Sequence, residues 1–350
     1  MPKNKDFIEL SDKELDEKIE EADGGSYNYR NWTTDDTYCD DTPGKIVTGN
    51  RTFGVEIECG APNEQQAAQM SEVIPQSAGM GRDGGHEFSV EIQTPPLKGA
   101  RGERFLHQTS KLLQKLDFSI GSNCGCHVHI GMKDFAGKNP EKRLRDVWMF
   151  WLIYEDVILS FLPKSRRLNS YCTPLKNQFQ LAEISRCNTL EELEAIWYRT
   201  NDPAILKARK SDKKAGSRYY GYNLQCFFAT GILEIRYHSG TINSRKMLEW
   251  INLQMAIIDR ANGSTANTQA NNLSIEDKTN LLFNNLRLSK ASETYWRSRQ
   301  ILFKDETTHA FLKRGNIAAV EKAVRERKEK EIEQEVNILT AVNLPELCVE

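Results

Sequence analysis

At 350 residues and 39% hydrophobic content, the chain has the length and apolar share for one large domain or two smaller ones. A formal net charge of −2 excludes a bulk electrostatic pull toward nucleic acid or an anionic membrane, and no long apolar run is present to span a bilayer. The opening MPKNKDFIEL has neither a signal-peptide core nor a transit-peptide composition, and the eight cysteines lack the regular spacing of a disulfide framework. These features predict a soluble cytoplasmic protein with reduced thiols.

Residues 1–49 read as an acidic arm with a short helix around Asp12 to Glu21, capped by Ser11, followed by irregular chain lying on the core. Residues 50–263 carry the strongest periodicity. Four segments, GVEIEC, HEFSVEIQ, CHVHIG and LEIRYHSG, alternate apolar residues with carboxylates, histidines or an arginine. A strand sends successive side chains to opposite faces. Val55, Ile57 and Cys59 therefore oppose Glu56 and Glu58; Phe88, Val90 and Ile92 oppose Glu87 and Glu91; Val128 and Ile130 oppose His127 and His129; Leu233 and Ile235 oppose Glu234 and Arg236. An ordinary solvated sheet face also alternates, but it mixes Thr, Ser, Lys and Gln, and like charges on neighbouring positions repel. Glutamates at i and i+2 together with histidines are tolerated when a metal ion neutralises them.

Apolar residues at helical spacing mark helices at 101–117 (Phe105, Leu106, Leu112, Leu113), at 141–162 (Leu144, Trp148, Trp151, Ile158) and at Ser244 to Ala261 (Met247, Ile251, Met255, Ile258). Strands backed by such helices predict an α+β architecture, with helices on the apolar face and the polar face open as a cleft. Residues 264–350 read as a polar helical extension, with a Ser274 cap and a charged helix in AAVEKAVRERKEKEIEQEV whose Lys and Arg are solvated partners of its own glutamates.

Between the strands lie a glycine-rich loop with Asp83, an arginine pair in LPKSRRLNSYC (Arg166 and Arg167), and SRYYGYNLQCFF, which places Arg218 and Asn223 ahead of a strand pairing with GILEIRYH. Arginines beside a carboxylate-lined cleft suit a polyphosphate, because the guanidinium fork matches phosphate oxygens. Cys124, Cys126, His127 and His129 supply zinc donor types, but Cys126 and His127 point to opposite faces and structural zinc favours CxxC pairs.

In order along residues 51 to 260, FGVEIEC, RDGGHEFSVEIQTPPL, NCGCHVHIGM, LPKSRRLNSYC, SRYYGYNL, GILEIRYHSGTIN and EWINL resemble the amidoligase family, whose fold is similar to glutamine synthetase and glutamate–cysteine ligase. The resemblance implies a curved antiparallel sheet, ATP, two or three magnesium ions with manganese as an alternative, and an amide bond made through an acyl phosphate. It implies Glu56, Glu58, Glu91, His129 and Glu234 as metal ligands, with His127 beside the nucleotide. Arg236 would hold the acyl phosphate or substrate carboxylate, Arg218, Arg166 and Asn223 the nucleotide, and Asp83 would orient or deprotonate the amine. Carboxylate and amine substrates would be small molecules or peptides, with no nucleic acid or membrane partner, and an oligomer is left open. Where the family often has Asp-Gly-Ser, this chain reads Asp83-Gly84-Gly85. Two other classes share these residues: a metal-dependent hydrolase or phosphodiesterase, weakened by the lack of an HxHxD or HExxH motif, and a non-catalytic scaffold, which would be expected to lose the metal face.

Overall fold

A computed structural model describes residues 39–73, 79–81, 88–121, 124–137, 139–167, 169–211, 216–261, 270 and 272–303. The expected helix near Asp12, Asp83 and its glycine loop, and the charged helix of the C-terminal stretch lie outside the described residues.

In chain order the elements are β1 (Phe53–Gly60), α1 (Glu64–Val73), β2 (Gly79–Gly81), β3 (Ser89–Gln93), α2 (Gly99–Lys115), β4 (Gly125–Gly131), α3 (Pro140–Ser160), α4 (Lys164–Arg167), α5 (Leu181–Ile184), α6 (Leu190–Tyr198), α7 (Pro203–Ser211), β5 (Tyr222–Asn223), α8 (Leu224–Thr230), β6 (Ile232–Ser239), α9 (Ser244–Ala261), α10 (Ile275–Leu286) and α11 (Lys290–Leu302). The six strands make one antiparallel sheet in the order β2-β3-β1-β4-β6-β5. The fold is α+β, as the alternation and helical spacing predict.

Val55, Ile57, Cys59, Val90, Ile92, Cys126, Val128, Ile130, Leu233 and Ile235 are all buried and form the apolar sheet face. Against it lie Phe105, Leu106 and Leu113 of α2, Trp148 and Trp151 of α3, and Met247, Ile251 and Ile258 of α9. Leu282 and Phe283 of α10 and Trp296 of α11 join the same core. Ser274 caps α10 by accepting from the Asp277 amide, as its sequence position predicts. At the start of the described chain Val47 is fully buried, and the amides of Ile46 and Val47 donate to Glu103 of α2. The seven described cysteines form no disulfide. No helix among the described residues is long and apolar enough to cross a membrane.

Two departures from simple alternation matter for function. The first is at β5. Pairing with β6 lasts only for Tyr222 and Asn223, after which LQCFFAT turns into α8. Asn223 ends the strand because its side chain accepts from the Gln225 amide at 3.0 Å and so starts a helix.

The second is a bulge in β6. Cys126 pairs with His238 and Val128 with Ile235, so Arg236 and Tyr237 together face His127 alone. The extra residue shifts the phase of the strand. Arg236 stays on the polar face, whereas His238, which unbroken alternation would put there too, is paired with a core-face residue and packs at 5.4 Å from the Trp250 ring. Tyr237 is also buried. Its hydroxyl donates to Glu155 of α3, which further accepts from the amides of Leu175 and Lys176 at 2.7 and 2.8 Å. A Cβ on Gly221 would come within 1.9 Å of the Tyr237 ring, so glycine is required where β5 approaches the bulge.

Burial is the main cause that pushes the His238 imidazole down to about 3, with the positive charges of Arg299, Lys246 and Arg166 adding to it. A depressed folded pKa contributes stability that is complete above the unfolded value near 6.5 and is lost as pH falls toward 3. His238→Phe should therefore flatten the loss of stability between pH 6.5 and 5, by roughly 2 kcal/mol at pH 5, in urea unfolding followed at both pH values.

Candidate active site

The polar face of the sheet floors a cavity of about 640 Å³ lined by Glu56, Glu58, Glu91, Gln93, His127, His129, Arg166, Asn169, Tyr171, Arg218, Tyr219, Cys226, Glu234 and Arg236. Strand register assembles the floor. Glu56 lies opposite His127 and Gln93, Glu58 opposite Glu91, and His129 opposite Glu234. Glu56, Glu58, Glu91, His127, His129 and Glu234, all expected on this face, are thus brought to one place; His238 is not, and Glu87 lies outside the described residues.

His127 sits at the centre. Its Nδ1 is 3.0 Å from Glu56 and 3.8 Å from Glu234, and its Nε2 is 3.4 Å from Glu58. The ring fits because a Cβ on Gly125 would stand 2.8 Å from Nε2, and the Gly125 amide donates to Glu58. His129 Nε2 is 3.0 Å from Glu56 Oε1 but too far off-line for a hydrogen bond, leaving a buried nitrogen without an aligned partner. Burial alone would raise Glu56, yet the His127 hydrogen bond and the close imidazoles of His127 and His129 outweigh it and hold the carboxylate well below its ordinary range. Burial works against the charge of His129 in turn, and Glu56 more than restores it. Glu91 is raised, first by burial and then by the charge of Glu56, while Gln93 donates to it at 2.7 Å.

Glu234 is 5% exposed and surrounded by donors. Arg236 Nη1 pairs with one oxygen, and Asn223 Nδ2 donates to the other at 2.5 Å. Burial favours its neutral form, but Arg236, His127 and His129 bring it below the usual carboxylate value. Asn223, expected beside the nucleotide, therefore acts on Glu234 and on the α8 cap at once. Arg166, expected at the phosphates, is almost fully buried: its Nε donates to the Tyr237 carbonyl at 3.2 Å and its Nη2 to the Arg236 carbonyl at 2.7 Å. It satisfies both carbonyls of the bulge while lining the cavity. Arg218 also lines the cavity, with its guanidinium 5.5 Å from the Tyr219 ring centroid.

Sequence reasoning did not single out Tyr171, Tyr219, Asn169, Gln93 or Cys226. Tyr171 and Tyr219 lie inside the two arginine motifs, and Gln93 is two residues beyond Glu91 on the same strand face, so the signal was available; Cys226 reaches the cavity through the unanticipated α8.

Glu56, His127 and Glu234 offer ligand atoms that lie within 4.8 Å of one another. With Glu58 and Glu91 paired directly across β1 and β3, this is a like-charge cluster that a cation would relieve. The oxygen-rich donor set fits a hard divalent ion such as magnesium, with the His129 nitrogen available as one additional, softer donor.

A one-sided antiparallel sheet with carboxylates and imidazoles on its open face and arginines at the rim is a site that could hold a cation beside an anionic ligand. The family described as "Putative amidoligase enzyme" matches residues 63–258, more than half of the chain, and the chain belongs to this amide-bond-forming family. The match begins after β1, so Glu56 and Glu58 join the site through strand pairing. Among curated proteins none matches. A solved bifunctional glutathione synthetase from Pasteurella multocida is similar at 13% identity over 73% of this chain and 48% of that one, with a TM-score of 0.38. This chain spans about half the length of that protein.

Asn223→Ala should cost about 1 kcal/mol of stability through the lost cap. It should also weaken divalent-ion binding roughly 10- to 100-fold by releasing Glu234. Thermal unfolding and a Mn²⁺ titration followed by electron paramagnetic resonance measure the two effects separately.

Proposed function

We propose that the chain joins a carboxylate to an amine at the expense of ATP, through an acyl phosphate, with magnesium bound at the Glu/His face. The observation that carries this reading is the convergence of Glu56, Glu58, Glu91, His129 and Glu234 around His127 in a chain of the amidoligase family. The antiparallel sheet with its long helices α2, α3 and α9 on the apolar face supports a glutamine synthetase-like catalytic layer.

The residues divide the work by charge. Glu56, Glu58 and Glu91 on one side and Glu234 with His129 on the other would hold the magnesium ions, which when bound supply neutralisation of the triphosphate. His127 reaches from β4 to both Glu56 and Glu58 of β1 and so fixes how these two carboxylates stand over the cavity floor. Arg236 is held by Glu234 through Nη1 and by the Tyr171 carbonyl through Nε at 3.1 Å, which leaves Nη2 for an oxygen of the transferred phosphoryl group or the substrate carboxylate. A cation held this rigidly needs no reorganisation as charge shifts to the leaving group. Arg218 at the rim is assigned to the phosphate tail, and Asp83 to the amine.

Protein incubated with ATP, magnesium and pools of amino acids and amines should release phosphate only when a carboxylate and an amine are both present. Glu58→Gln and Glu234→Gln, which keep side-chain volume, should lower that turnover at least about a hundredfold while leaving the circular dichroism spectrum unchanged. Phosphate release without an amine product, or full activity in both variants, would contradict the reading.

A further inference from the structure

One residue at the cavity rim is exposed in a way that neither the fold nor the carboxylate cluster explains. Tyr171 is 63% exposed, although it lies in the wall of a cavity and on a tightly held stretch of backbone. Its amide donates to Asn169 Oδ1 at 2.7 Å, its carbonyl accepts from Arg236 Nε at 3.1 Å, and two residues later the Thr173 amide donates to the Tyr219 carbonyl at 2.8 Å. Its ring meets Tyr219 edge to face, with centroids 5.5 Å apart and planes at 86°. The guanidiniums of Arg218 and Arg236 stand 5.5 and 5.6 Å from the Tyr219 centroid, so Tyr219 is itself braced. A large ring left in water on fixed backbone contributes little to folding; it does offer a flat surface whose ordering entropy has been spent before any ligand arrives.

We propose that Tyr171 is the stacking platform for the base of the nucleotide. The inference rests on the ATP-dependent reading above and adds to it the location of the base. Position favours a base over the other planar groups a ligand could bring. Arg236 bridges Glu234, a proposed metal carboxylate, to the Tyr171 carbonyl, and Tyr171 lines the same cavity as the carboxylates over which the phosphates would be held. A ribose joins phosphates to base, so phosphates over the carboxylate floor and a base on this wall can belong to one nucleotide. Stacking on one tyrosine face is tolerant of base identity, because every base has a π face.

The test compares the magnesium complexes of AMPPNP and inorganic tripolyphosphate, titrated calorimetrically into the full-length protein and its Tyr171→Ala and Tyr171→Phe variants. Both substitutions are at an exposed side chain. The platform predicts that Tyr171→Ala weakens AMPPNP roughly 5- to 100-fold while Tyr171→Phe stays within about threefold of the parent, and that tripolyphosphate binding is the same in all three. Unchanged AMPPNP affinity in Tyr171→Ala overturns the platform and leaves the ligase reading standing. Equal weakening of tripolyphosphate also overturns it, since the residue would then act through Arg236. Failure of the parent protein to bind either compound overturns the ligase reading, and the platform with it.

Discussion

The fork of Arg166 on the β6 bulge is the interaction on which the site depends. A bulge leaves backbone groups outside the ladder, and buried carbonyls without donors are costly. Arg166 supplies both missing donors from one planar group, to the Arg236 and Tyr237 carbonyls. With the bulge held, Glu234 and Arg236 stay together on the open face, Tyr237 is tied to Glu155 in the core, and His238 is turned away from the cations. Tyr171 is joined to the same arrangement, because Arg236 reaches its carbonyl and the Cys172 thiol donates to the Arg166 carbonyl. One buried arginine thus links the sheet, the rim and the core.

The second constraint is electrostatic. Four glutamates share a half-buried cavity, and two unit charges about 5 Å apart repel by roughly 3 kcal/mol at an effective dielectric near 20. The fold offsets this unevenly. Glu56 and Glu234 are held charged by His127, His129 and Arg236, whereas burial and the charge of Glu56 leave Glu91 raised. The side of the floor around Glu91 is therefore where an added cation would gain most, while on the other side Arg236, paired with Glu234, is placed to meet an anion.

Much of this was legible because strand alternation is local. The period of two placed Glu56, Glu58, Glu91, His127, His129 and Glu234 on one face, and register then followed from matching apolar faces. The ordered motifs added the family, and helical spacing found α2, α3 and α9 within a few residues. What escaped was tertiary. A bulge inserts one residue into a pattern that otherwise reads as unbroken, so nothing in LEIRYHSG marks His238 as a core residue. Arg166 stands among polar neighbours in a loop-like segment, and only the fold reveals that it is buried and bound to main chain. Asn223 looked like a ligand contact because its value as a helix cap depends on α8, which LQCFF disguises as a strand. The exposure of Tyr171 has no signature in its neighbours at all.

The most direct test of the metal-and-nucleotide reading is crystallographic: the protein crystallised with AMPPNP and manganese, with data collected at the manganese absorption edge. The account predicts anomalous peaks between Glu56, Glu58 and Glu91 and beside His129 and Glu234, with the terminal phosphate facing Arg236. Nucleotide and manganese bound away from this sheet face, in a crystal that leaves the cavity open to solvent, would contradict it.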